Sequence, residues 1–236
     1  MTTESRHLHR AVSIGIGPVR LKGLLDIPVA ARGMVLFAHG SGSSRLSPRN
    51  TYVANRLRDS GLATVLFDLL TADEERTDAD TGNLRFDIAL LTKRLVTVTH
   101  WAQAERQLLH LPVGYFGAST GAAAALTAAA RISSVGAVVS RGGRPDLAGL
   151  ALAEVHCPTL LIVGGNDLEV LELNRQAFGR LRCEAHLEVV PGATHLFEEP
   201  GALDTVAELA AEWFVRHLDS NASSNALART SHLKAT

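Results

Sequence analysis

The sequence predicts an α/β fold built on one eight-stranded, mostly parallel sheet with helices on both faces. Short apolar runs alternate along the chain with longer helical ones. From the third run onward the short ones are continuous and rich in Val, Ile and Leu, as strands buried on both faces of a parallel sheet are. Composition agrees: of 236 residues, 46% are hydrophobic and 20% charged, a globular balance that excludes disordered and fibrous classes. At about 150 residues per domain, such a length fits one domain.

In chain order, the first two strands, 11–16 and 19–27, mix polar with apolar residues and are separated closely at Pro18, as in an antiparallel hairpin at a sheet edge. The remaining strands are expected at 34–38, 63–69, 113–116, 135–140, 159–163 and 186–190. Helices are expected at 48–60, 84–104, 120–131, 171–181 and 202–218, with a short one near 146–152. The last carries Leu203, Val206, Leu209, Ala210, Trp213, Phe214 and Leu218 along one stripe, which should pack on a sheet face. The domain is therefore expected to span 1–218, and the polar, aperiodic 219–236 to be a flexible tail.

Charge and motifs narrow the function. With 23 basic and 24 acidic residues the formal charge is −1, and no run of five like charges breaks that balance. Nucleic acid and membrane are therefore not expected as partners; a small-molecule substrate is, and oligomeric state is not written in such patterns. Cys157 and Cys183 form neither a CxxC pair nor a disulfide framework, and no leader or spanning segment is evident, so a cytoplasmic location is expected. Gly40-Ser41-Gly42 lacks the third glycine of a dinucleotide fingerprint, with Arg45 in its place, and neither a Walker GK[ST] nor HExxH occurs. No cofactor and no metal are expected.

Gly117-Ala118-Ser119-Thr120-Gly121 follows an expected strand and opens an expected helix, the context in which G-x-S-x-G forms a nucleophile elbow. The alternative is a plain turn. Because a serine at its ordinary pKa is a weak nucleophile, a histidine base and an orienting acid must follow in the order Ser, Asp or Glu, His. His195, in VVPGATHLF after the last strand, is the candidate base. Asp167, ending LLIVGGND, is the favoured acid, with Asp146 and Glu169 as rivals. An oxyanion intermediate needs two backbone N–H donors. Thr120 supplies one, and Ser41 in HGSGSS the other, with Gly42 as the alternative; His39 reads as a loop-shaping residue rather than a base. Arg45, Arg49, Arg141 and Arg144 flank these loops and, with Gly42, are candidates for substrate binding, the arginines through a carboxylate or phosphate. The competing role for those arginines is surface pairing with Asp68, Asp73 or Asp146.

HGSGSS, GASTG, GGND and GATH, in that order and spacing, resemble an α/β-hydrolase, and most of all the dienelactone hydrolase-like branch, over residues 10–218. HGSGSSRLSPRN, LRFDIALL, FGASTGAAAAL and SRGGRPDLAG are also similar to a hydrolase-like domain found alone or joined to a phosphoribosyltransferase domain in some bacteria. The resemblance implies an α/β-hydrolase fold and a hydrolase acting on small esters or thioesters. It departs at the nucleophile, which is a cysteine in dienelactone hydrolases and Ser119 here. Too few residues separate the strands at 135–140 and 159–163 for a helical lid, so no lid domain is expected. The competing reading is a catalytically silent hydrolase fold used for binding or regulation.

Overall fold

The computed structural model of the protein describes residues 7–218, and the tail expected at 219–236 lies outside them. Among the described residues eight strands form one sheet: β1 (Leu8–Ile16), β2 (Val19–Ile27), β3 (Gly33–Ala38), β4 (Leu62–Phe67), β5 (Val113–Ala118), β6 (Val135–Arg141), β7 (Thr159–Gly164) and β8 (Ala185–Val190). Their spatial order is β1-β2-β4-β3-β5-β6-β7-β8. β1 pairs with β2 as an antiparallel hairpin, and Gly17 supplies the positive φ (56°) that its two-residue turn needs. β2 joins β4 antiparallel, and every later pairing is parallel. This is the α/β-hydrolase architecture the sequence predicts.

Alternation along the strands sends side chains to two cores. Met34, Leu36 and Val138 face the layer of α3 (Ile88–Ala104) and α4 (Thr120–Arg131), while Val35, Phe37, Ala137 and Val139 face α1 (Pro48–Asp59) and α6 (Ala202–Leu218). α1 starts where Ser47 accepts the Asn50 N–H and Pro48 presets the first turn. The stripe of α6 buries Val206, Ala210, Phe214 and Leu218, and it approaches so closely that a Cβ at Gly114 would lie 2.7 Å from the Phe214 ring.

The structure departs from expectation in several places, among them β1, which begins at Leu8 rather than at 11, and β4, which ends at Phe67 rather than at 69. α2 (Ala72–Thr81) was not foreseen because ADEERTDADT has no apolar period. Polar contacts hold it instead: Thr71 and Glu74 form a reciprocal capping box, Gly82 closes the far end at φ 66°, and Arg94 of α3 pairs with Glu74. The helix expected from 84 divides into a 3-10 turn, Leu84–Phe86, and α3, because the Asp87 carboxylate accepts the Leu90 N–H at 2.9 Å and starts a new helix. α5 (Leu168–Phe178) begins and ends three residues early. β6 runs on through Arg141, which is a strand residue rather than a loop one. Between β6 and β7 lie 3-10 turns over Pro145–Glu154, kinked at Gly149 (φ 57°).

Candidate active site

The carboxyl edge of the parallel strands gathers the elbow, the loop after β3, and the loops after β6, β7 and β8. Ser119 stands between β5 and α4 at φ 50°, ψ −122°, a region that non-glycine residues occupy only under constraint. The constraint is local packing: a Cβ at Gly121 would lie 2.1 Å from the Ala38 carbonyl oxygen, and one at Gly117 2.5 Å from Ala122 Cα. The Ser119 N–H donates to Arg141 O (3.3 Å), and its carbonyl accepts from Ala122 and Arg144 N–H (3.1 and 3.0 Å). The backbone of the elbow is thus pinned from both sides.

Thr120 opens α4, where backbone N–H groups have no partner within the helix. Ser41 Oγ and Thr120 Oγ1 are 3.0 Å apart, which ties the loop after β3 to the elbow. Buried His39 shapes that loop. Its Nε2 accepts the Leu69 N–H (2.9 Å), so its proton sits on Nδ1 and is donated to Gly40 O (2.9 Å). Burial lowers its pKa and keeps it neutral.

His195 Nδ1 lies 2.7 Å from Asp167 Oδ2, while its Nε2 makes no hydrogen bond among the described residues. Neither rival acid reaches it: Asp146 is held by Arg144 at 2.9 and 2.7 Å, and Glu169 is exposed on α5. Three contacts not foreseen from the sequence brace the pair. Asn166 donates to Ala193 O through its N–H and to Gly192 O through its amide, both at 2.9 Å, and so clamps the acid loop to the histidine loop. Glu199 accepts the Thr194 N–H and hydroxyl at 3.0 and 2.6 Å, and these bonds hold its carboxyl below the usual range. Fully buried Asn174 donates to Gly143 O at 2.9 Å, fixing the loop after β6. Asn166 was visible beside Asp167 in GGND, whereas nothing in the sequence marks Asn174 or Glu199.

The four arginines separate. Arg45 is bound to Asp68 through both its guanidinium and its backbone N–H, and Arg144 to Asp146. Arg49 meets Glu198 at 3.1 Å, and Arg141 pairs with no described carboxylate. Exposed Gly42 sits in the loop after β3 at φ 66°. A cleft of about 320 Å³ opens beside that loop, lined by Ser41, Gly42, Ser43 and Thr120 on one side and by Leu69, Leu70, Glu75 and Arg85 on the other.

Residues 21–228 match the profile of the dienelactone hydrolase family. The chain belongs to that family. A dienelactone hydrolase from Anabaena variabilis, known from a crystal structure, is 58% identical; the match has a TM-score of 0.88 and covers 90% of this chain and 99% of that one. Two Mycobacterium tuberculosis proteins, each named "Putative phosphoribosyl transferase", are 58% identical over 209 residues, which is 88% of this chain and 46% of theirs. The chain thus spans about half the length of the curated relatives it matches. A carboxyl esterase from the mycorrhizal fungus Tuber melanosporum shares the fold at 16% identity, with a TM-score of 0.70 over 92% of this chain and 89% of that one. Family and fold are those of hydrolases, and among the described residues no helix is long and apolar enough to cross a membrane.

Proposed function

We propose that this member of the dienelactone hydrolase family is a serine hydrolase of small ester or thioester substrates, working through an acyl-enzyme. The observation that carries the proposal is the 2.7 Å bond from His195 Nδ1 to Asp167 at the same sheet edge as the strained Ser119 elbow. Asp167 fixes the imidazole tautomer, so that Nε2 is the basic nitrogen. His195 Nε2 takes the Ser119 proton as Oγ attacks the carbonyl carbon, and the oxyanion is held by the N–H groups of Thr120 and Ser41. On collapse, His195 returns that proton to the departing alcohol or thiol. Water, deprotonated by His195, then releases the acid and restores the serine. The chemistry needs no metal or cofactor. The charge of −1 and the two free cysteines support a cytoplasmic enzyme with a small-molecule substrate.

Kinetics with p-nitrophenyl acetate test this directly. Ser119→Ala should lower kcat by about 10⁴-fold or more with the circular dichroism spectrum unchanged, leaving only binding and oxyanion effects. A folded Ser119→Ala protein with wild-type turnover would overturn the proposal.

A further inference from the structure

Because Arg141 closes β6, strand alternation sets its side chain on the α1/α6 face with Ala137 and Val139, away from its neighbour Ser140. There it is only 7% exposed. Its Nε is enclosed without a hydrogen-bond partner, and no described residue forms an ion pair with it. Its nearest compensation is the Phe197 ring, whose centroid is 5.8 Å from Cζ. A cation over an aromatic face offsets only part of the loss of hydration that a buried guanidinium suffers. The charged group that acts on it is a second cation, Arg49, in the first turn of α1. Burial, with that repulsion, pushes its pKa down to about 10, so it remains protonated at neutral pH.

The surroundings add positive rather than negative potential. The first turn of α1 holds no acidic side chain, and the helix presents its N-terminus here. Arg49 Nε is likewise enclosed and unpartnered. Arg49 has one carboxylate partner, Glu198 at 3.1 Å, whose side chain is 65% exposed, and that carboxylate makes no ion pair with Arg141. The place adjoins the reacting groups. The Arg141 carbonyl accepts the Ser119 N–H, Phe197 follows His195 by two residues, and a Cβ on Gly142 would lie 3.6 Å from His195 Cε1.

We infer that Arg141, with Arg49 beside it, is the subsite for a negatively charged group, a carboxylate or a phosphate, on the substrate that Ser119 attacks. The inference deepens the hydrolase proposal and rests on it for the identity of the reacting bond. A guanidinium offers two parallel N–H donors to either oxyanion, which supplies the counter-charge the fold itself withholds. Arg45 and Arg144 are excluded from the role because each is bonded to a carboxylate far less exposed than Glu198, Asp68 for the one and Asp146 for the other.

Calorimetric titration with sodium succinate and, separately, with inorganic phosphate tests the subsite without turnover. At least one of these anions should bind the wild-type protein, and Arg141→Met should weaken it about tenfold or more, as loss of charge-assisted hydrogen bonds does. Arg49→Met should weaken it by a smaller factor, and this second variant decides the matter if Arg141→Met does not fold. The anion that binds more tightly identifies the group. In turnover, the ratio of kcat/KM for p-nitrophenyl hemisuccinate over p-nitrophenyl butyrate should fall toward one in Arg141→Met if the carboxylate is that group. Replacing an unpaired buried cation by an apolar chain should leave Tm equal or higher; a lower Tm with anion affinity intact would make Arg141 a prop for Phe197 and overturn the inference. Absence of binding by both anions, or equal binding in wild type and Arg141→Met, would overturn it as well. A wild-type protein that hydrolyses no ester defeats the hydrolase proposal alone, since the titrations do not depend on catalysis.

Discussion

Ser119 keeps its left-handed backbone because the glycines around it admit no side chain, and this separates two kinds of glycine at the site. Gly121→Ala drives a Cβ to 2.1 Å from a backbone oxygen, so it should destabilise the fold by about 3 kcal/mol or more in urea denaturation. Gly42→Ala meets no atom within 4 Å and carries only the strain of φ 66°, about 1 kcal/mol. For the acid, Asp167→Asn should lower kcat/KM by about 10³-fold or more through loss of the tautomer. Asp146→Asn, which breaks a pair with Arg144, should change it far less. The reverse ranking would move the acid to the loop after β6. His39 gives a pH signature. Its native pKa lies below the ordinary 6.5, so below that pH the unfolded chain binds a proton that the native state does not. Stability should therefore fall as pH drops from about 6.5 toward the lower native value. Half-buried His217 acts in the same direction, and the decline in Tm between pH 7 and 5.5 should be shallower in His39→Gln but not abolished.

At the scale of elements, what could be read in advance was what apolar periodicity encodes. Runs such as Val113–Ala118 and Thr159–Gly164 are buried at every position, and the stripe over 202–218 gives the start of α6 at Ala202 correctly. Phe214→Ala, which empties the contact of that stripe with Gly114, should cost about 3–5 kcal/mol while sparing the His195–Asp167 bond, as chemical denaturation and a residual-activity assay would show. Elements held by polar contacts were not legible. α2 depends on Glu74 meeting Arg94, 20 positions away, and no local pattern announces such a partner. The same holds for Asn174 and Gly143, 31 positions apart. The order Ser119, Asp167, His195 was legible because each residue follows a strand that the pattern reveals, and parallel strands deliver all three to one edge. The strand expected to end at Ser140 runs one residue further, so Arg141, expected in the loop at the site rim, is the last residue of β6 and is buried.

For the whole molecule, the connection between β6 and β7 folds into 3-10 turns, and α2 lines one part of the cleft beside the loop after β3. A long acyl chain gains about 0.8 kcal/mol for each methylene it buries, and an open edge offers little such burial. Along p-nitrophenyl acetate, butyrate and palmitate, kcat/KM should therefore be highest for a short acyl group; palmitate as the best substrate would contradict this. The proposed chemistry rests on one nucleophile activated by one histidine. Its most direct test is labelling with a fluorophosphonate, followed by mass spectrometry of the intact protein and its peptides. One adduct per chain on the Ser119 peptide is predicted, absent in Ser119→Ala and slowed by about 10³-fold or more in His195→Ala. Unchanged labelling in Ser119→Ala, or an adduct on another residue, would contradict the account.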